Sequence, residues 1–393
     1  MISSPPRASR KLVGTLYSYM FLSEFVLLYP VYTLLFTDAG LSVAETSSLF
    51  VIWSVTGMVL EVPSGAWADT VSRRLLLFLG PLLGAAGFGL WTLSPSYWAF
   101  ALGFVLWGAK EALVSGSLEA LVYEELERLG ESGRYATVMG RARSVGLCAD
   151  AAAIGLAVPV FAVGGYPVVG AASVVVGLGC AAMALAFREH RSDAEPEAGD
   201  GYLATLKAGL AEARGDRRVL KALLLVPVVT AVWGALEEYV PFLGLEAGVS
   251  ESTVPLLILL VWVGATAGGL LAGRAQRLPV RGLAAVIAAA ATAMAGGALT
   301  GHPAGFLLVA VAFGAFHMAE VVADARLQDR ITGAGRATVT SVAGLGTNVV
   351  GLLVYAVYGL TSSFVSHGVS FALLVVPYVL VALWLASGSG QGR

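Results

Sequence analysis

Charged side chains are scarce in this sequence: Asp, Glu, Lys and Arg together make up 13% of its 393 residues. Soluble proteins carry about 25%, so the chain lacks the polar surface that a fold in water requires. The formal net charge of −2 also provides no basic surface for a nucleic-acid partner. The deficit excludes an ordinary soluble protein and indicates that lipid surrounds much of the chain.

Cysteine and histidine are equally rare. The two cysteines, Cys148 and Cys180, both lie inside apolar runs and make neither a disulfide framework nor a metal cluster. Of the 4 histidines, only His317 falls within a long apolar run. The chain has no His-Glu-x-x-His pair, no nucleophile elbow and no phosphate-binding loop. We therefore expect neither an enzyme nor a bound metal or cofactor.

Apolar residues, by contrast, are abundant: 57% of the chain is hydrophobic and its mean hydropathy is +0.80. A helix that crosses the hydrocarbon core of a bilayer needs roughly 20 apolar residues. The first run is too long for a cleavable signal sequence and is expected to remain as a helix. The runs predict an all-α membrane protein of twelve transmembrane helices, near residues 12–37, 44–68, 74–94, 97–122, 137–163, 167–187, 219–244, 252–273, 280–300, 303–327, 337–361 and 364–386.

Basic residues occur on alternate connections between these spans. If the N-terminus is cytoplasmic, the outer connections carry no Lys or Arg; their ionisable residues are Asp38, Glu45, Glu246, Glu251, His302 and His367. The positive-inside rule then predicts that both termini are cytoplasmic. Arg outnumbers Lys, and Ala, Gly and Val abound, which is typical of a GC-rich bacterial genome. We therefore expect a multi-pass protein of the bacterial cytoplasmic (inner) membrane.

An internal repeat divides the chain in two. Glu119-Ala120 matches Asp324-Ala325, and Gly133-Arg134 matches Gly335-Arg336, at an offset of about 205 residues. The long connection after the sixth span begins with a charged stretch that is typical of a linker. It continues into residues 202–214, which fit a short amphipathic helix on the membrane surface or an early start of the seventh span. We predict two pseudo-symmetric six-helix bundles, 1–187 and 219–393, joined by a cytoplasmic linker, 188–218.

The turn after the second span carries the most specific motif, Gly65-Ala66-Trp67-Ala68-Asp69-Thr70-Val71-Ser72-Arg73-Arg74. It resembles the Gly-x-Leu-Ala-Asp-Arg-x-Gly-Arg-Arg signature of the major facilitator superfamily, from which Trp67, Thr70 and Ser72 depart. The placement of the turn, the twelve spans and the duplication agree with that family. The resemblance implies its two-bundle fold and a transporter that works by alternating access.

In that family the signature turn helps to close the cytoplasmic side. The resemblance implies that Asp69 binds the N-terminal end of the eleventh span, near Gly335 to Thr338, and that Arg73 bridges carboxylates. Three further acids are expected to face one of two arginines: Glu119, Glu124 and Glu125 towards Arg134 or Arg141. The predicted cytoplasmic gate consists of Gly65, Asp69, Arg73, Arg74, Glu119, Arg134 and Asp324.

The fifth span carries small residues that are similar to a glycine- and proline-rich motif of exporters in this family: Gly146, Gly155, Pro159, Gly164 and Gly165. The Gly-Pro pair of that motif is missing and its last spacing is longer. Small residues also serve helix packing in membranes. The arginine that many proton-coupled exporters carry in the fourth span has no clear counterpart here, and the nearest cation is Lys110. The resemblance leans towards export.

Ionisable residues within the spans are candidates for function, because each costs at least about 2.5–3.5 kcal/mol at the centre of a bilayer. In the resembling fold the first, fourth, seventh and tenth helices line the central cavity, and nearly all of these charges lie on them. Burial favours the neutral form of a carboxyl group, and Lys110 can balance only one acid. We predict proton coupling by Glu24, Asp150, Glu111 and Lys110, with Glu24 or Asp150 as the proton carrier.

Each cavity helix also has an aromatic residue about one turn from its charge. Aromatic faces and carboxylates suit an amphipathic organic compound, whether cationic or neutral. In membrane helices Trp and Phe also pack against neighbouring helices or lipid, which is the alternative reading. The predicted substrate-binding residues are Tyr17, Phe21, Glu24, Trp107, Glu111, Trp233, Glu237, Phe313, His317 and Glu320.

These features predict a secondary active transporter, namely a proton-coupled antiporter that exports a small drug or specialised metabolite. A proton-coupled uptake symporter for a small nutrient is the alternative, although Asn348 is almost the only amide within the spans. Sodium coupling is disfavoured because no broken helix is predicted, and a channel because the outer loops are short. The expected partners are a small-molecule substrate, protons and the lipid bilayer, and the chain is expected to be a monomer.

Overall fold

The computed structural model describes residues 7–190, 217–330 and 336–388, within which the regular structure is helical and contains no strand. Helices satisfy their backbone hydrogen bonds internally, as a lipid environment requires. Across these residues nine helices are long and apolar enough to cross a membrane, or ten if one bent pair is a single span. The all-α membrane fold is confirmed. The predicted amphipathic helix at 202–214 lies outside the described residues.

The chain forms two compact units. Unit 1 comprises Met1–Leu41 and Ile52–Ala198, and unit 2 comprises Ser42–Val51 and Gly199–Arg393. One helix therefore begins in unit 2 and ends in unit 1. The bundle and linker boundaries proposed from the sequence stay a prediction.

Unit 1 is built on helices that pack through apolar and small residues. Its buried core includes Leu16, Tyr19, Leu77 and Val122. The helices are α1 (Arg7–Glu24), α2 (Tyr32–Asp38), α3 (Val43–Thr70), α4 (Arg73–Leu93), α5 (Tyr97–Val114), α6 (Ser117–Arg128) and α7 (Tyr135–Ala184). α4 packs against α5 and α7, and α1 packs against α7.

Two predicted spans of unit 1 are interrupted. The first, expected as one helix over 12–37, stops at Glu24 and resumes at Tyr32. Between them the Leu28 N–H donates to the Ser173 hydroxyl at 3.0 Å, a contact across the bundle that replaces a helical bond. The expectation that no helix is broken was wrong, and with it one argument against sodium coupling.

The fourth predicted span, 97–122, is also wrong as a continuous helix. It breaks after Val114, where Gly116 has φ 71°. This left-handed conformation is readily adopted by glycine and strained for other residues. α7 kinks at Gly165 (φ 56°), close to the connection predicted between the fifth and sixth spans.

Unit 2 has a corresponding set of helices. They are α8 (Arg217–Glu237), α9 (Val240–Glu246), α10 (Val254–Ala275), α11 (Val280–Leu299), α12 (Phe306–Arg330), α13 (Arg336–Thr361), α14 (His367–Leu374) and α15 (Val376–Gly388). The seventh predicted span is bent by 51° between α8 and α9. The twelfth consists of α14 and α15, which meet at Val375.

The packing of α10 on α12 depends on glycine. A Cβ at Gly268 would lie 1.8 Å from the carbonyl oxygen of Gly314, and one at Gly314 would lie 2.4 Å from that of Gly264. No side chain fits at these distances, so the two backbones are in direct contact. The contact fixes the position of the helix that carries His317 and Glu320.

Candidate functional site

The two acids predicted to carry protons lie together in unit 1. Glu24 ends α1 and packs on α7, where a Cβ at Gly146 would lie 3.2 Å from the Glu24 Cγ. Asp150 follows Gly146 by one turn on the same face of α7, within electrostatic range of Glu24. Among the described residues neither carboxyl has a hydrogen bond or an ion pair.

Lys110, on α5, is a buried cation. Its side chain is only 8% exposed and runs along α4, where a Cβ at Gly84 would lie 3.1 Å from the Lys110 Cδ. A small cavity of about 10 Å³ lies beside Lys110, and Ser23 and Cys180 also line it. This volume is room for about one water molecule. In the part of the chain that the structure describes, no carboxylate forms an ion pair with Lys110.

Glu111 is held by a residue that sequence reasoning missed. The indole N–H of Trp53, on α3, donates to the Glu111 Oε2 at 3.0 Å. Trp107 is only 9% exposed and stacks on Tyr29 with ring centroids 5.0 Å apart. Trp107 therefore belongs mainly to an aromatic core. Trp53 was missed because it lies on the second predicted span, which is not among the four that line the cavity in the resembling fold.

The other two aromatics predicted in unit 1 lie nearer the start of α1. Tyr17 is half-buried against the apolar core. Phe21 is 38% exposed and stacks on Phe25, with ring centroids 5.1 Å apart. Only Phe21 of the pair presents a substantial exposed aromatic surface.

In unit 2 the structure gathers four predicted residues. The Trp233 indole N–H donates to the Glu320 Oε2 at 3.0 Å, and the His317 Nδ1 lies 3.2 Å from the same oxygen. The Trp233 ring meets those of His317 and Phe313 edge to face, at 5.2 and 6.0 Å. All four side chains come from α8 and α12. They form one cluster of aromatic surface and carboxylate, which we call the unit 2 cluster.

Tyr378, which sequence reasoning did not identify, positions this cluster. Its hydroxyl accepts from the Trp233 N–H at 3.0 Å and donates to the Val229 carbonyl at 3.1 Å. The hydroxyl thus lies between the Trp233 backbone N–H and the Val229 carbonyl, which bond directly in a regular α-helix. A group inserted in this way permits a local bend. The Tyr378 ring stacks on Phe316 of α12. Glu237, also predicted to bind substrate, ends α8 at the 51° bend.

The signature turn is held within unit 1. The Ser72 hydroxyl and the backbone N–H groups of Arg73 and Arg74 donate to the Glu189 carboxylate, which caps α4. The Arg73 guanidinium forms an ion pair with Glu124. The surroundings of Gly65 and the side chains of Asp69 and residues 336–338 are not described, and residue 335 lies outside the described ranges. The predicted contact between the turn and 335–338 therefore stays a prediction.

The ion pairs predicted around the gate were wrong in their partners. Glu119 pairs with Arg143 at 3.1 Å, Arg134 pairs with Glu131, and Glu124 pairs with Arg73. Long flexible side chains at helix ends choose between several opposite charges, and sequence spacing does not decide between them. Asp324 is exposed on α12.

The model of the Major Facilitator Superfamily matches residues 13–355 of this sequence. The chain belongs to the major facilitator superfamily. Its membership and its membrane helices identify it as a transporter rather than an enzyme, embedded in a lipid bilayer and suited to a small-molecule substrate. No curated protein matches this superfamily member in sequence.

Solved structures share the fold of this transporter. The chain is similar to a variant of the nucleoside transporter NupG, with a TM-score of 0.76 and 13% identity over 96% of this chain and 98% of that one. A bacterial homologue of the human lysosomal transporter Spinster gives 0.71 and 17% over 98% and 97%. A D-xylose–proton symporter gives 0.66 and 16% over 96% of both chains. At these identities the likeness concerns the fold alone.

Proposed function

We propose that this transporter is a proton-coupled antiporter that exports a small amphipathic organic compound by alternating access. The observation that carries the proposal is the pairing of Glu24 with the Asp150 face of α7, where neither carboxyl has a protein partner among the described residues. A carboxyl that gains and loses a proton as its access to water changes is what coupling requires. Lys110, buried close by, would be the counter-charge.

Twelve spans with both termini in the cytoplasm fit the observed helices. The stretch Ser132–Ala184 contains 53 residues and rises about 80 Å, more than twice the hydrocarbon thickness of about 30 Å. Its kink at Gly165 makes it two crossings, and α1 with α2 supplies a further one. The topology that we propose comprises bundles 1–187 and 219–393 with the linker 188–218 between them in sequence.

The unit 2 cluster supports an amphipathic substrate. Trp233 and Phe313 offer aromatic faces, and the half-buried Glu320 offers a carboxyl group that the Trp233 indole N–H orients. Cations with apolar bodies are attracted to both kinds of group. Polar amides, which sugars and nucleosides demand, are almost absent from the predicted spans. The small-residue pattern around Gly146 on α7 adds the lean towards export.

A proton-coupled uptake symporter is the second candidate. It is favoured by the similarity to a structure described as a D-xylose–proton symporter and to one described as a nucleoside transporter. The same carboxyls would serve it equally well. The two candidates differ in the sign of the pH gradient that drives accumulation.

That sign is measurable in proteoliposomes holding the full chain, whichever way the protein inserts. Ethidium, uridine and D-xylose are the probes. An antiporter accumulates ethidium in inside-acidic vesicles, whereas a symporter accumulates its substrate when the outside is acidic. Glu24→Gln and Asp150→Asn are each expected to lower proton-driven flux roughly hundredfold, and Glu127→Gln, an exposed acid on α6, is expected to leave it unchanged.

Three results contradict the proposal. Accumulation driven by a sodium gradient alone would assign coupling to sodium. Uridine or D-xylose uptake with an outside-acidic gradient would assign symport. Parental flux in both acid variants would remove Glu24 and Asp150 from the coupling mechanism.

A further inference from the structure

A second cavity in unit 1, separate from Glu24 and Asp150, lies where the start of α1 meets the ends of α6 and α7. It has a volume of about 240 Å³. Leu12, Leu129 and Phe187 give it an apolar wall. Its basic side chains are those of Lys11, Arg128 and Arg188. A cavity with an apolar wall and a cationic rim matches an amphiphile with an anionic head.

The charges of this rim are not balanced within the protein. Glu125, the acid that lines the cavity, is 4% exposed and already accepts from Arg128 at 2.9 Å and from the His190 backbone N–H at 3.1 Å. Lys11 and Arg188 form no ion pair with any residue that the structure describes. Two cations are therefore left over at one opening.

Thr15 also lines the cavity. Thr15 is only 8% exposed, and within the described ranges its hydroxyl makes no hydrogen bond. A hydroxyl left open in this way is a donor for a ligand oxygen.

We propose that this cavity binds the phosphate of an anionic phospholipid. Lys11, Arg188 and the Thr15 hydroxyl meet the phosphate oxygens, and the wall around Phe187 meets the glycerol and the first methylenes. Basic pockets between membrane helices bind such head groups. Free phosphate offers the same oxygens but gains nothing from the apolar wall. Arg188 follows the candidate span Ser132–Ala184 by only a few residues, which sets the site at the level of lipid head groups.

The test uses the purified full chain in detergent, titrated with phosphatidylglycerol and followed by native mass spectrometry. Lys11→Gln and Arg188→Gln should each weaken binding about fivefold, and together about 25-fold. Thr15→Val should weaken it about tenfold, because a hydrogen bond to a charged oxygen is lost. The matched control is Arg10→Gln, which removes the neighbouring charge of α1 and should change affinity less than about twofold.

Two further arms identify the ligand. Phosphatidylcholine, which has no net charge, should bind at least about tenfold more weakly than phosphatidylglycerol. Inorganic phosphate at millimolar concentration should leave phosphatidylglycerol bound; displacement would reassign the site to soluble phosphate and overturn the proposal. Equal phosphatidylglycerol affinity in the parent and the double variant would also overturn it.

Folding of the variants is monitored by their melting temperature in neutral lipid. Arg188→Lys keeps the charge and is expected to bind phosphatidylglycerol within about threefold of the parent. If the double variant does not fold, the comparison of Arg188→Lys with Arg188→Gln decides: equal weakening in both contradicts the charge-based site. None of these readouts depends on the direction or coupling of transport, so the lipid proposal fails or stands apart from the antiport proposal.

Discussion

Two acid sites, one in each unit, differ in how their carboxyl groups are held. In unit 2, Glu320 is fixed by the Trp233 indole and by His317, and the Tyr378 hydroxyl fixes the backbone that carries Trp233. In unit 1, Glu24 and Asp150 have no hydrogen-bonding partner in the described part of the chain, although a buried amine, Lys110, lies in the same unit.

This difference has a physical meaning. A carboxyl group that neighbouring side chains hold has a fixed orientation. Such a group suits a recognition site. Glu24 and Asp150 have no such neighbours among the described residues, and the proposed function uses them for proton exchange. We therefore propose that unit 2 serves substrate binding and unit 1 serves proton exchange, and each of the following variants tests one side of this proposal.

Lys110→Met should have the largest effect. Methionine fits the narrow slot beside Gly84 and removes an unpaired buried amine, so the free energy of unfolding should rise by about 1–3 kcal/mol. Proton-driven ethidium flux should nevertheless fall roughly hundredfold, because the counter-charge for the acids is gone. Flux in proteoliposomes and melting temperature measure the two effects. Arg141→Met, on the exposed face of α7, is the control; parental flux in Lys110→Met breaks the assignment of coupling to unit 1.

Glu320→Gln should have an intermediate effect on binding. The amide keeps the shape of the side chain but loses the charge that Trp233 and His317 orient, so ethidium affinity should fall about tenfold. The response of flux to the pH gradient should persist at saturating ethidium. Fluorescence titration gives the affinity. Asp324→Asn, an exposed acid one turn further along α12, should bind like the parent, and a loss of pH response in Glu320→Gln would merge the two roles.

Tyr378→Phe should have the smallest effect. It removes the hydroxyl between the Val229 carbonyl and the Trp233 N–H, which lowers the free energy of unfolding by about 1 kcal/mol. Urea unfolding in mixed micelles measures this change, and Tyr123→Phe, on the exposed side of α6, serves as the matched control. A shift in the Trp fluorescence maximum with no change in stability would show that, without the hydroxyl, the Trp233 backbone N–H bonds directly to the Val229 carbonyl. The unit 2 cluster would then be less rigid than the comparison states.

The membrane fold was accessible from the sequence because apolar length is a local property. The signature around Arg73 was equally readable. The break after Glu24 was not, because it depends on the distant Ser173 hydroxyl, which takes over the Leu28 N–H. The break at Gly116 had a visible signal, since Ser115-Gly116-Ser117 interrupts an apolar run.

The candidate site shows the same limit. Trp233, Phe313, His317 and Glu320 were predicted from helical spacing, and spacing correctly relates positions on one face of one helix. Contacts between helices do not follow from it. Trp53 and Tyr378 reach the site from helices that the repeat and the family pattern did not single out, and they were missed.

The glycine contact between α10 and α12 restricts how the unit 2 cluster can respond to a ligand. Interlocked side chains can slide by exchanging rotamers, but backbones that touch at Gly264, Gly268 and Gly314 have no rotamers to exchange. If a substrate displaces His317, as the proposed function implies, we expect α10 and α12 to move together as one rigid pair.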